Sequence, residues 1–182
     1  MRTQRLARLV VMTALLAAAQ APPAVMPVQA QTFTPPQQIV VRMFRLTANG
    51  GNTGELCAPG DSTFGCVVAT GRGVYPYATN PITIPMESEY LLNVVPQEMP
   101  LSFEPIALQA QVVAARTYAY YHINRGSSIN NSIQFQAFIP GKFIALSNIT
   151  PTNTLDPCAS ANLGVTQRKL CGAMDVPRYL AY

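Results

Sequence analysis

The sequence predicts an α+β fold: a single domain in which a short mixed or antiparallel sheet packs on a long Ala-rich helix, truncated at its C-terminus. Three observations lead there. Short β-branched or alternating runs bounded by Gly, Pro, Asn and Ser stand at 39–46, 81–85 and 133–138. One segment, 102–125, keeps helical spacing throughout and carries Ala107, Ala110, Ala114, Ala115 and Ala119. Finally, 49% of the 182 residues are hydrophobic and only 11% charged, enough apolar mass for one core and too little charge for disorder.

Twelve Lys and Arg against eight Asp and Glu give a formal charge of +4. Arg2, Arg5 and Arg8 precede the first apolar run, and no acid precedes Glu55. Residues 31–182 thus hold nine basic and eight acidic groups, a balance of +1, which argues against a nucleic-acid surface. The three arginines, the apolar run 9–19 and the small residues of Val28-Gln29-Ala30 read as a secretory signal peptide over 1–30. An uncleaved membrane anchor is the alternative, but the run falls short of the ~20 residues a spanning helix needs. No later segment reaches that length. The expectation is a secreted, extracytoplasmic domain over 31–182 with no transmembrane span after cleavage.

Along that domain, 31–38 reads as an extended lead-in and 39–46 as a strand. Gly, Asn, Ser and Thr make 48–71 a loop. A short strand lies between Pro81 and Pro85. Glu87 to Val94 reads as a two-turn helix with acids in its first turn, stopped by Pro96. The long helix runs from an N-cap at Ser102 through Glu104 and Pro105 to Gly126 as the residue beyond its end. Ile106, Ala110, Val113, Ala114, Thr117 and Tyr121 fall on one side of it. A strand at 133–138 turns at Pro140-Gly141, and 147–172 is again loop-like. Val176 opens an element that Tyr182 interrupts, hence the expected truncation.

Cys57 and Cys66 bracket one loop, and Cys158 and Cys171 another. Local pairing gives disulfides 57–66 and 158–171, although four cysteines allow three connectivities. Zinc is the competing reading. Neither pair has C-x2-C spacing and His122 is the only histidine, so no metal or other cofactor is expected.

Two charged residues stand out as candidate chemistry. Glu98 lies among Val, Met, Pro and Leu; an apolar surround would keep its carboxyl protonated and suited to general-acid work. Arg116 is the only formally charged residue between Pro105 and Asn124 if His122 is neutral. A lone guanidinium on an apolar helix must reach water or find a partner. Gln109, Val112, Arg116 and Tyr120 share a helix face that could meet Glu98 or offer donors to a sugar. The plainer readings are a solvated loop glutamate and a structural salt bridge or surface-seeking arginine.

At this point two long motifs carry a resemblance. Residues 82–100 (ITIPMESEYLLNVVPQEMP) and 107–119 (ALQAQVVAARTYA) resemble the stage II sporulation protein D/amidase enhancer family, with core motifs over 82–138. That resemblance implies a cell-wall protein acting on peptidoglycan glycan strands. It places the family's catalytic acid/base on Glu98 and the arginine needed for activity on Arg116. Gln109 stands where the family carries lysine. Asn131, Ser132, Ile133, Gln136 and Phe138 correspond to an acid-Ser-Thr…Gln…Tyr stretch, so Ser132 and Gln136, with Gln109 and Tyr120, are candidate substrate-binding residues. A later segment, a zinc site in some members, would lie beyond Tyr182.

The reading implied is lytic transglycosylase-like cleavage of glycan strands. One carboxyl suffices there, because the muramoyl 6-hydroxyl replaces water as nucleophile. The alternative is a non-catalytic wall-binding module that recruits or enhances an N-acetylmuramoyl-L-alanine amidase. A third possibility is a secreted structural domain in which Glu98 and Arg116 merely pair. The expected partners are glycan strands and a cell-wall amidase.

Overall fold

The computed structural model describes residues 34–67 and 74–177. The leader over 1–30, the start of the lead-in, residues 68–71 of the first loop and residues 178–182 lie outside them. The α+β class holds, with a mixed sheet sharing one core with the helices.

The predicted strand over 39–46 divides in two. β1 (Gln38–Arg42) alternates, with Ile39 and Val41 buried and Gln38, Val40 and Arg42 outward. After buried Met43, β2 (Phe44–Leu46) enters a different sheet. The break is fixed by two asparagines. Asn80 accepts from the Met43 N–H and donates to its carbonyl. Asn131 does the same for Phe44, and also donates to the Gly65 carbonyl. These side chains replace ladder partners that the backbone would otherwise lack.

β2 pairs antiparallel with β3 (Asn52–Leu56), a strand inside the stretch expected to be loop. Its Asn, Thr and Gly composition and mostly exposed side chains hide the usual strand signal. β4 (Ile82–Pro85) forms as predicted and pairs antiparallel with β1, Ile39 opposite Ile84. β5 (Ile129–Asn130) pairs parallel with the other edge of β1. The strand expected at 133–138 does not form. A turn at Ile133-Gln134 followed by irregular chain occupies that segment, the Phe135 N–H bonding back to the Ser132 carbonyl, and Ile133 faces solvent.

Pro96 does not end the first helix. A π-helical stretch, Met86–Leu91, leads directly into α1 (Leu92–Glu98), with Pro96 inside it. Proline forfeits one N–H and crowds the carbonyl a turn back. Only two residues follow it, and the Met99 N–H to Val95 carbonyl bond (3.0 Å) closes the turn.

α2 (Pro105–Asn124) is capped by Glu104, not Ser102. The residue before a proline is pushed out of the helical region, so Glu104 is extended (φ −58°, ψ 147°) and the helix can begin only at Pro105. Gly126 has φ 63°, the left-handed conformation expected past a helix end. The side of α2 with the regular apolar spacing is the outer one: Ile106 is 73% and Tyr121 54% exposed. Leu108, Val112, Ala115, Arg116, Ala119 and Tyr120 are buried instead. Ala115 and Ala119 let neighbouring elements approach closely, sharing a core with Ile39, Val41, Ile82 and Ile84.

Helix α3 (Lys142–Ala145) is a single turn. α4 (Val165–Met174) stands where a loop was expected, packed against α2. Its Thr, Gln, Arg, Lys and Gly obscure a buried stripe of Gln167, Leu170 and Ala173. Val176 and Pro177 are not in a strand. The disulfides Cys57–Cys66 and Cys158–Cys171 are the two local pairs expected.

Two consequences can be measured. Gly65 has φ +92°, and an added Cβ would meet Leu46 Cγ at 2.4 Å and the Phe44 carbonyl at 2.7 Å. Gly65→Ala should cost on the order of 3 kcal/mol, read as a lower midpoint in chemical unfolding. Burial opposes ionisation of Asp61, but hydrogen bonds from Arg45 and Thr63 outweigh it and hold the carboxyl at about 2, against 3.8 ordinarily. A depressed acid stabilises fully above its unfolded value and loses that contribution as pH falls through the folded one. The stability gap between wild type and Asp61→Asn should therefore shrink as pH drops from roughly 5 to 2, and a constant gap would contradict the assignment.

Candidate functional site

Arg116 is 1% exposed, and its charge is met on several sides. Nε donates to both Glu87 carboxylate oxygens (2.9 and 3.1 Å) and Nη2 to Oε2 (2.8 Å). Nη1 donates to the Val176 carbonyl (2.8 Å) and Nη2 also to that of Met174 (2.9 Å). A planar fork with fixed donors suits such a junction better than a lysine would. The guanidinium thereby fastens α2 to the start of the Met86–Leu91 stretch and to the chain leaving α4.

Glu98 is elsewhere. It is the last residue of α1, and eleven positions of helical chain separate it from Glu87, on the order of 15 Å at ordinary helical rise. The expected juxtaposition of Glu98 with Arg116 is absent; the arginine's carboxylate is Glu87, a residue expected only to begin a helix. The apolar enclosure is absent too. Glu98 is exposed, and Oε1 accepts the Ala137 backbone N–H at 2.6 Å. That bond ties the helix end to the segment 131–138.

Two phenols neighbour this carboxylate. Tyr118, half-buried on α2, has its ionisation pushed up by burial and then by the Glu98 charge. Tyr90 is fully buried; desolvation first, then the charges of Tyr118 and Glu98, push it far above the ordinary phenol range. Both hydroxyls therefore keep their protons. Tyr90 donates to Gln136 Oε1 (3.1 Å), and its ring stacks on Phe138 at 5.6 Å.

The other predicted site residues scatter. Gln136 is buried behind Tyr90 and next in sequence to Ala137. Gln109 is half-buried on α2. Tyr120 lies in the core and Ser132 is fully buried, its Oγ donating to Asn130 Oδ1 (2.7 Å). Glu89, an acid of the Met86–Leu91 stretch, accepts from the Tyr77 hydroxyl. Tyr118 escaped notice although it directly follows Arg116-Thr117 in the second motif. Only the fold brings it to Glu98.

A cleft of about 850 Å³ runs along the Arg116 junction, lined by Glu87, Leu92, Asp156, Met174 and the Cys158–Cys171 disulfide. A second, of about 280 Å³, is lined by Glu89, Asn93 and Phe143. Glu98 lines neither. Among the described residues no group of three His, Cys, Asp or Glu side chains could hold a metal ion.

Removing Glu87 leaves a buried guanidinium without its counter-charge. Glu87→Gln should cost about 3–5 kcal/mol, because a buried ion that loses its partner keeps its desolvation penalty. Arg116→Met, of similar length and uncharged, should cost less. Equal losses, or no loss for Glu87→Gln, in denaturant titrations would contradict the junction.

Residues 78–152 match the family model described as SpoIID, stage II sporulation protein. No curated protein and no solved structure matches. The matched stretch contains Glu87, Glu98, Gln109, Arg116, Tyr120, Ser132 and Gln136, while all four cysteines lie outside it. The part of the chain that carries both the buried arginine junction and the exposed carboxylate is thus the part similar to the stage II sporulation protein (SpoIID) family.

Proposed function

We propose that this protein is an extracytoplasmic, peptidoglycan-associated module that binds glycan strands at the Glu98 face and works with a cell-wall N-acetylmuramoyl-L-alanine amidase. The family match supports the peptidoglycan association. One observation carries the binding role. Arg116, which the sequence allowed to meet Glu98, to offer donors to a sugar or to form a structural salt bridge, pairs with Glu87 and two carbonyls, so its donors are engaged away from Glu98. Meanwhile the Glu98 face stays open, with its carboxylate held by Ala137. In this reading Arg116 is a positioning residue that holds the far end of the Glu98 helix. Gln109 is a polar group of α2 available to ligand, and Gln136 orients Tyr90. Tyr120 and Ser132 are packing and turn residues. Among the described residues no helix is long and apolar enough to cross a membrane.

A second reading, lytic transglycosylase-like cleavage, is favoured by the fixed position of Glu98 beside the protonated Tyr118. Glu98 would give its proton to the glycosidic oxygen between N-acetylmuramic acid and N-acetylglucosamine as the C1–O bond breaks. The carboxylate would then take the proton of the muramoyl 6-hydroxyl as that oxygen bonds to C1, closing the anhydro ring and restoring the acid. No water is consumed, and Arg116 contributes only through Glu87.

Incubating the full mature protein with strands stripped of stem peptides separates the readings. The binding module predicts cosedimentation with strands, faster amidase turnover and no anhydro-muramoyl product by mass spectrometry. Product that disappears in Glu98→Gln would replace it with the catalytic reading. Absence of both binding and product would overturn the two together.

A further inference from the structure

Next to Glu98 the surface carries a row of rings that the motifs do not explain. Tyr118 and His122 lie one turn apart on α2 with ring centroids 4.6 Å apart. Phe135 also meets His122 at 5.4 Å, edge to face, as does Tyr121 at 5.3 Å. Tyr118, His122 and Phe135 are all half-buried, so each keeps some contact with solvent. Phe135 belongs to the same segment as Ala137, whose N–H holds Glu98, so carboxylate and rings share one support. That support is anchored in the core: Asn131, Ser132, Gln136 and Phe138 are buried on either side of Phe135. Polar groups edge the row. His122 Nδ1 is hydrogen-bonded to Ser127 Oγ (2.9 Å), and Tyr118 lies near enough to Glu98 to feel its charge.

A ring face left in water keeps its apolar character, and a ligand with one apolar face and a polar rim satisfies both features. A pyranose has that form, with C–H bonds on a face and hydroxyl or amide groups around the edge. Nucleic acid shares the stacking habit, but residues 31–182 carry a balance of only +1 and lack the basic excess phosphates need.

We propose that Tyr118, His122 and Phe135 form a saccharide-stacking subsite adjoining Glu98, which takes a neutral N-acetylated hexosamine of a β-linked glycan. This rests on the glycan-binding reading above and specifies where along the surface the strand lies. The sugar packs on Tyr118 and Phe135, both of which contact His122. The neighbouring glycosidic linkage then falls at the Glu98 carboxylate.

The test is titration of the full mature protein with stem-peptide-free glycan strands, following affinity and the ring-proton resonances of Tyr118 and Phe135. Wild type should show both sets of ring signals moving in step with binding. Tyr118→Ala and Phe135→Ala should each weaken affinity about tenfold or more, whereas Tyr118→Phe, which keeps the ring, should stay within about twofold. The ring signals are read on the unaltered protein, so the result stands even if an alanine variant fails to fold. If wild type binds strands with ring signals unmoved and folded alanine variants bind normally, the subsite is wrong and the glycan-binding reading survives. If wild type does not bind strands at all, both fall.

Discussion

A guanidinium removed from water must be surrounded by acceptors, and that requirement at Arg116 organises much of this domain. Glu87 supplies the counter-charge, and the carbonyls of Met174 and Val176 receive donors that the carboxylate leaves over. Two separate stretches of chain therefore have to arrive at one point on α2. A buried ion pair of this kind is a poor source of net stability compared with apolar packing, but it is unforgiving of misplacement. The junction fixes where the Met86–Leu91 stretch begins, and hence where the helix that follows delivers Glu98.

The same arrangement divides the two motifs between two tasks. One end of the Met86 to Glu98 run is interior and committed; the other is exposed and held by a single backbone N–H. α2 serves both, burying Arg116 while turning Tyr118 and His122 toward the surface. A loss of function at Arg116 would thus be expected without any contact between its side chain and ligand, through displacement of Glu98. The Glu98 carboxylate is exposed and lines neither cleft described above. The 850 Å³ cleft belongs to the arginine junction instead.

Much of the scaffold was legible in the residues. The Ala-rich helix, the strand between Pro81 and Pro85, Gly126 past the helix end and both disulfides follow from local rules of spacing, capping and loop closure. The errors share a cause, which is tertiary structure overriding a local signal. Ile106 to Tyr121 has the better apolar spacing, yet the opposite face is buried because Arg116 must reach Glu87. The alternation at 133–138 reads as strand, but Asn131 diverts the chain by holding Phe44 and Gly65. α4 hides beneath a polar composition, its burial set by packing on α2 and the Cys158–Cys171 link. For the site, both charged residues were found, but their partners were not. No spacing rule says that Arg116 meets an acid 29 positions upstream, or that Glu98 meets an amide 39 positions on.

The division of labour between the two ends of the Glu98 helix can be read from amide chemical shifts as a defined glycan fragment is added. Shifts should move at Ala137 and along Tyr118 to His122, with Met174 and Val176 unchanged. Movement concentrated at Met174 and Val176, with Ala137 still, would place the ligand on the arginine junction and contradict the account.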